Sequence, residues 1–211
     1  MSATLDRLPS ADVRQQFGDI DIYLFDQLLR GRFDRRTRVL DAGCGRGRNL
    51  SYFFQHGYDV RAADVDAAAM RSVQQLAETC GVTLAPDALY CGSLDSLPWA
   101  DHAVDAVICS AVLHFARDEA DARAMLDEMW RILAPGGLFF ARLATSIGLE
   151  DRLPAAVGRM TLPDGSDRFV VDEATLRGWT DALNGVWLDP IKTTNVNHQR
   201  AMTTWVIEKR A

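Results

Sequence analysis

One stretch, VLDAGCGRGRN from Val39 to Asn49, constrains this chain more than any other. A short β-rich run, Thr37 to Asp41, meets glycines at 43, 45 and 47, and Leu50, Phe53 and Phe54 then recur at helical spacing up to Gly57. Strand, glycine turn and helix in that order put main-chain N–H groups at the end of a strand, where a ligand can approach the backbone closely. The unit repeats. Tyr58 to Ala63 reads as a second strand, and Asp66 as the N-cap of a helix carrying Met70, Val73, Leu76, Ala77 and Cys80 on one face before Gly81.

A third strand is expected around Ala88 to Cys91 and a fourth over Val104 to Ser110, joined by GSLDSLPWADHA. A helix over about Asp121 to Leu133 stops at Pro135-Gly136-Gly137, and the apolar run Leu138 to Leu143 reads as a strand covered on both faces. Such βα alternation, with right-handed crossovers, builds a doubly wound, mostly parallel sheet. The rhythm then changes. Residues 145–171 hold RMTL, a PDGS turn and RFVV, a pattern for a hairpin inserted over the core. Asp172 caps a last helix with Leu176, Trp179 and Leu183 inward, and the runs Trp187 to Asn197 and Ala201 to Glu208 should pair antiparallel. The chain divides as a helical leader, 1–36, outside the core, a ligand-binding core, 37–144, the inserted hairpin, 145–171, and the closing helix and strands, 172–211, all in one domain.

Composition narrows the partners. A net charge of −6 and a pI near 5.2 provide no broad cationic face for a polyanion, so a small substrate fits better than nucleic acid. Only Lys192 and Lys209 stand among the 23 basic residues, so no polylysine tract offers itself to a membrane. Cys44, Cys80, Cys91 and Cys109 form no C-x-x-C pair, and His56, His102, His114 and His198 form no ligand cluster, so neither a disulfide framework nor a metal is expected. The start, MSATLDRLPSADVRQQF, lacks the basic and apolar regions of an export signal. Cytoplasmic location is the expectation.

The glycine turn alone does not name its ligand. A dinucleotide fingerprint places its last glycine where this chain has Arg48, and Asp41 at the strand tip would repel a pyrophosphate. A ligand with an ammonium and a sulfonium but no phosphate is attracted instead, and S-adenosylmethionine (SAM) is such a ligand. Asp64, at the end of the second strand and 23 residues after Asp41, can accept both ribose hydroxyls of an adenosine. Ser93 and Leu94 fall at the end of the third strand, near the adenine edge, and Ser110 and Ala111 at the end of the fourth.

With these residues the chain resembles the class I SAM-dependent methyltransferases: D-x-G-C-G-x-G, the Asp after strand two, a G-D-x-x-x-L-P-like loop, a D-x-V strand ending in V-L-H, and P-G-G before strand five, over roughly Thr37 to Leu143. GCGRGRN with the following G-Y-D-V strand is most similar to the tellurite-resistance type of small-molecule enzymes. The resemblance implies a Rossmann-like α/β fold, a seven-stranded sheet of order 3-2-1-4-5-7-6 with strand 7 antiparallel, and direct displacement on the methyl carbon. It also implies cofactor contacts at Asp41, Gly43, Cys44, Gly45, Asp64 and Val65, with Ser93 and Leu94 at adenine and Ser110 offering its carbonyl to the cofactor's amino group. Ser93 stands where the family usually has an acid, with Asp95 two residues on.

His114 ends the fourth strand and is the candidate base for a hydroxyl, amine or thiol acceptor, with an ordinary pKa near 6.5. Tyr23, Arg142, Arg168, His198 and Arg200 are candidate substrate or lid residues, and each also has a plain structural reading as ion-pair partner, packing residue or surface residue. The alternative function is a SAM-binding sensor or partner subunit without catalysis.

Overall fold

The computed structural model describes residues 16–153 and 157–211. Positions 1–15 of the expected leader lie outside the described residues.

The central sheet starts at β1 (Arg38–Ala42), which pairs in parallel with β2 (Asp59–Asp64) on one side and β4 (Val104–Ser110) on the other. β3 (Leu89–Cys91) flanks β2 and β5 (Leu133–Ala144) flanks β4, again in parallel. β10 (Arg200–Lys209) runs antiparallel to β5. Its far side is covered by two short strands, β8 (Gly185–Trp187) and β9 (Lys192–Val196), so the sheet order is 3-2-1-4-5-10-8 with β9 beside β10. The expected order holds, except that the sixth strand is split in two. Pro190 lies between the halves, and a proline cannot donate to a ladder.

Alternation along the strands sorts the core onto two faces. Val39, Ala106, Ile108 and Phe140 pack with α1 (Ile22–Leu29), α2 (Ser51–Gln55) and α3 (Ala67–Thr79). Leu40, Val107, Phe139 and Trp205 face α4 (Glu119–Ile132) and α5 (Glu173–Ala182). Leu24 is fully buried and Phe33 nearly so, hence this part of the leader belongs to the core and not outside it. Leu24 and Leu28 lie four residues apart, on one face of a helix, but nothing local shows which surface such a face will meet.

Residues 158–170 make a separate antiparallel pair, β6 (Gly158–Thr161) with β7 (Asp167–Val170), tied to the end of β5 by a bridge between Thr145 and Val171. The hairpin therefore stands above the carboxyl ends of the parallel strands. Pro135 to Gly137 lie inside β5, where the register with β4 slips between Val104 and Ala106, so the break expected there is a bulge in a longer strand.

Candidate functional site

After Ala42 the chain must turn sharply to start the next helix, and Gly43 does this at φ +73° with its N–H bonded to the Ala63 carbonyl at 2.8 Å. A side chain there would meet Val112 Cγ2 at 2.4 Å, so only glycine lets the two strand ends approach. The turn opens onto a cavity of about 490 Å³ at the ends of β1, β2, β3 and β4. Gly43, Gly45, Asp64, Val65, Ser93 and Leu94 line it, joined by Ala111, Val112, Phe115, Asp121 and Met125. Asp64 fixes the turn, because one carboxylate oxygen accepts from Gly45 N–H at 2.9 Å and the other from Asp66 N–H at 3.0 Å. Asp66 is the N-cap of α3.

Three residues expected at the cofactor stand behind this wall. Asp41 is buried with neither oxygen accepting a well-formed hydrogen bond. Burial pushes its carboxyl up to about 7, the Asp64 charge acting in the same direction and Arg48 against both. Cys44 is buried too, its thiol pushed up first by burial and then by Asp41 and Asp64, which makes it an unreactive packing group. Ser110 Oγ donates to Asp21 Oδ2 at 3.0 Å and accepts from Arg48 at 2.9 Å. Its side chain serves a buried polar cluster and not the cavity wall.

Asp21 is the residue that sequence reasoning passed over. It precedes α1, caps it through Tyr23 N–H at 2.9 Å, and sends its second oxygen to Arg142 at 2.8 Å and toward Arg48 at 3.6 Å. The DIDIY segment carries an Asx-capping signal, yet nothing in it reveals a partner 121 residues away. Phe115 and Asp121 were also missed as wall residues. Asp121, read as the start of a helix, lies in the first turn of α4 and holds Arg117.

A second cavity, about 270 Å³, meets the first at Ala111, which lines both. Arg48, His114, Arg142, Arg168 and Arg200 line it, along with Ser166, Thr194 and the apolar Ala144, Leu162, Val196 and Met202. Tyr23 packs against two of these lining residues, its ring under the Arg142 guanidinium at 4.6 Å and its hydroxyl bonded to Thr194 Oγ1. The Arg168 guanidinium lies 5.0 Å over the Phe115 ring, bridging the two cavities from the hairpin.

Two expectations need correction. His198 is exposed at φ +53° in the turn between β9 and β10, its N–H bonded to Asn195, and it does not reach the cavity. His114 sits beyond the end of β4 in a single 3-10 turn, Leu113–Phe115, and is only 5% exposed. Its Nδ1 has no partner. Burial first, then the positive charges of Arg168 and Arg142, push its pKa down to about 4, so the ring is neutral at pH 7 and a far weaker base than expected.

Residues 40–141 match the family model described as a methyltransferase domain. The chain is 30% identical over 124 residues to the tRNA 5-carboxymethoxyuridine methyltransferase of Escherichia coli, covering 59% of this chain and 46% of that protein. It is 34% identical over 134 residues to the malonyl-[acyl-carrier protein] O-methyltransferase of Pectobacterium atrosepticum, covering 63% and 48%. The chain thus spans about half the length of the curated relatives it matches. Among solved structures, the Burkholderia thailandensis 1,6-didemethyltoxoflavin-N1-methyltransferase, with bound 1,6-didemethyltoxoflavin and S-adenosylhomocysteine, superimposes with a TM-score of 0.68. That alignment has 18% identity over 96% of this chain and 87% of the other. Among the described residues, no helix is long and apolar enough to cross a membrane.

Proposed function

We propose that the chain, whose residues 40–141 match a methyltransferase domain, is a class I SAM-dependent methyltransferase that transfers the methyl group of SAM to a small-molecule acceptor by direct displacement. The observation that carries this reading is the meeting of two cavities at Ala111, one built for an adenosine-bearing cation and one beside it large enough for a small acceptor.

The residues of the first cavity fit SAM. Gly43 and Gly45 leave the turn free of side chains, and an added Cβ at Gly45 would meet nothing within 4 Å, so that space is open to a ligand. Asp64 offers the remaining lone pairs of its two oxygens to ribose hydroxyls, while the backbone bonds it already accepts keep it in place. Ser93 and Leu94 border the adenine end. Asp41, behind the turn, supplies negative potential, and a positive ligand beside it favours its ionised form.

When bound, SAM supplies a methyl carbon activated by the attached sulfonium. The protein contributes alignment: displacement needs nucleophile, methyl carbon and departing sulfur in one line, and holding them so replaces an encounter of two molecules. The exclusion of water falls to Phe115 of the first cavity and to the β6–β7 hairpin, whose Arg168 lines the second and covers the Phe115 ring. A SAM-binding sensor without catalysis has no observation in its favour.

The test is a SAM-consumption screen over small phenols, thiols, amines and carboxylates, read by mass spectrometry, with calorimetric titrations of S-adenosylhomocysteine and NAD alongside. Binding of S-adenosylhomocysteine but not NAD, with at least one methylated product, is expected. Tight S-adenosylhomocysteine binding without product from any acceptor overturns the catalytic reading.

A further inference from the structure

Four arginines converge on the 270 Å³ cavity, in a chain whose net charge is −6. Asp21 neutralises one charge, through Arg142 at 2.8 Å and Arg48 at 3.6 Å, and Asp164 neutralises another, lying 3.7 Å from Arg200. Four positive charges less two negative ones leave an excess of two. Arg168 has no carboxylate within ion-pair distance among the described contacts; its guanidinium bonds the Asp167 carbonyl at 2.7 Å and covers Phe115. A cavity so lined attracts an anion, and guanidinium forks match the planar two-oxygen geometry of a carboxylate. Ala144, Leu162, Val196 and Met202 furnish an apolar wall for a short hydrocarbon body.

The same lining lacks a useful base. Apart from His114 it consists of guanidinium, hydroxyl and apolar groups, and His114 has no carboxylate partner to strengthen it. An acceptor that has to give up a proton finds no group to take it. One that arrives ionised needs none.

We propose that the second cavity takes a small carboxylic acid as its anion and that the carboxylate oxygen is itself the nucleophile, so that the product is a methyl ester. This rests on the methyltransferase reading above. One oxygen lone pair forms the O–CH3 bond as the methyl–sulfur bond breaks, and the bonding pair stays on sulfur. The products are a neutral ester and the neutral thioether S-adenosylhomocysteine, and no proton moves. The ester no longer carries the charge that the arginines attract, which favours its release.

Two readouts test this. In the first, benzoate is titrated into the S-adenosylhomocysteine complex and followed by NMR, without turnover. Binding is expected, weakened about 10- to 100-fold by Arg168→Gln or Arg200→Gln, with S-adenosylhomocysteine affinity unchanged. Arg168 and Arg200 are chosen because neither neutralises a buried carboxylate, so both variants should fold. In the second, methyl-labelled SAM is supplied with benzoate, hexanoate, phenol, aniline or thiophenol, and the products are treated with alkali. Label released as volatile methanol from the carboxylates supports the ester. Label confined to alkali-stable products, or benzoate that fails to bind or binds all three proteins equally, overturns the inference while leaving methyl transfer intact. Arginine-dependent benzoate binding with no methylation of any acceptor overturns the catalytic reading and the ester together, and leaves only the anion site standing.

Discussion

Asp21, from the segment before the first helix, and Arg142, from the middle of the sheet, form a 2.8 Å ion pair in which the carboxylate is 1% exposed. Burial works against ionisation of Asp21, but Arg142, the Tyr23 N–H and Ser110 outweigh it and hold the carboxyl below its usual range. The leader is thereby pinned across the strand ends. The two cavities share a border close to that pin, because Ala111 N–H donates to the Arg142 carbonyl at 2.8 Å.

Removing one partner of such a pair leaves a buried charge unmatched. Arg142→Met should lower stability by about 3–5 kcal/mol, and Asp21→Asn in the same chain should recover part of it. Because the folded pKa of Asp21 is depressed, its contribution is present above about pH 4 and is lost as pH falls through the folded value. Urea unfolding of the two single variants and the double variant at pH 7 reads the coupling. Additive losses would show that the pair does not hold the leader.

Asp41 acts in the opposite sense. Its carboxyl is raised to about 7, so between about pH 4 and 7 the unfolded chain gives up a proton that the fold retains. Native stability therefore falls as pH rises through this window, and the full cost is present above pH 7. Asp41→Asn should remove that slope and raise stability at pH 8 by roughly 1–4 kcal/mol, while weakening SAM binding through loss of the attracting charge. Chemical denaturation from pH 4.5 to 8 checks the slope, and calorimetry the binding. A variant as pH-dependent as the wild type would show that Asp41 is ionised throughout.

Asp64→Ala should weaken S-adenosylhomocysteine by about 1.5–3 kcal/mol through loss of charge-assisted hydrogen bonds. Part of this loss would come from the turn itself, since Gly45 N–H and Asp66 N–H also lose their acceptor. Gly43→Ala separates the two effects, because it alters the turn and keeps the carboxylate. It should abolish binding, and Val112→Ala should restore some of it by removing the 2.4 Å clash, leaving about 1 kcal/mol of strain at φ +73°. Calorimetry of both single variants and the double variant checks this. Wild-type affinity in Gly43→Ala would refute the close approach.

The glycine turn, Asp64 and the βα order were legible because each rests on local chemistry: a positive φ, a strand end, a helix period. The same alternation that named the strands also fixes which side chains share a face. What could not be read was long-range. Asp21 gave a capping signal and no address, and the gap between β8 and β9 follows from a proline whose effect depends on its neighbours. His114 was placed near the right cavity with the wrong strength, since its pKa depends on burial and on Arg142 and Arg168, all settled by tertiary packing.

That correction changes what His114 does. With its pKa near 4, the imidazole is neutral across pH 5.5–8.5, so the wild-type kcat should show no limb near pH 6.5 from this residue. The groups facing it are cationic, and protonation adds a third charge beside Arg142 and Arg168. Stability supplies a second signature. As pH falls from 6.5 toward 4, the unfolded chain takes up a proton that the folded ring refuses, so the native state loses stability over that interval. His114→Ala should lose this dependence, keep S-adenosylhomocysteine affinity, and change KM for the acceptor more than kcat, because only shape is removed from the cavity wall. His114→Asn, which keeps polarity at similar size, should recover most of the KM change. The measurements are kcat and KM against pH for the three proteins, with unfolding curves at pH 5 and 7. A kcat limb near pH 6.5 in the wild type that disappears in His114→Ala would make the histidine a base after all and restore acceptors that must lose a proton.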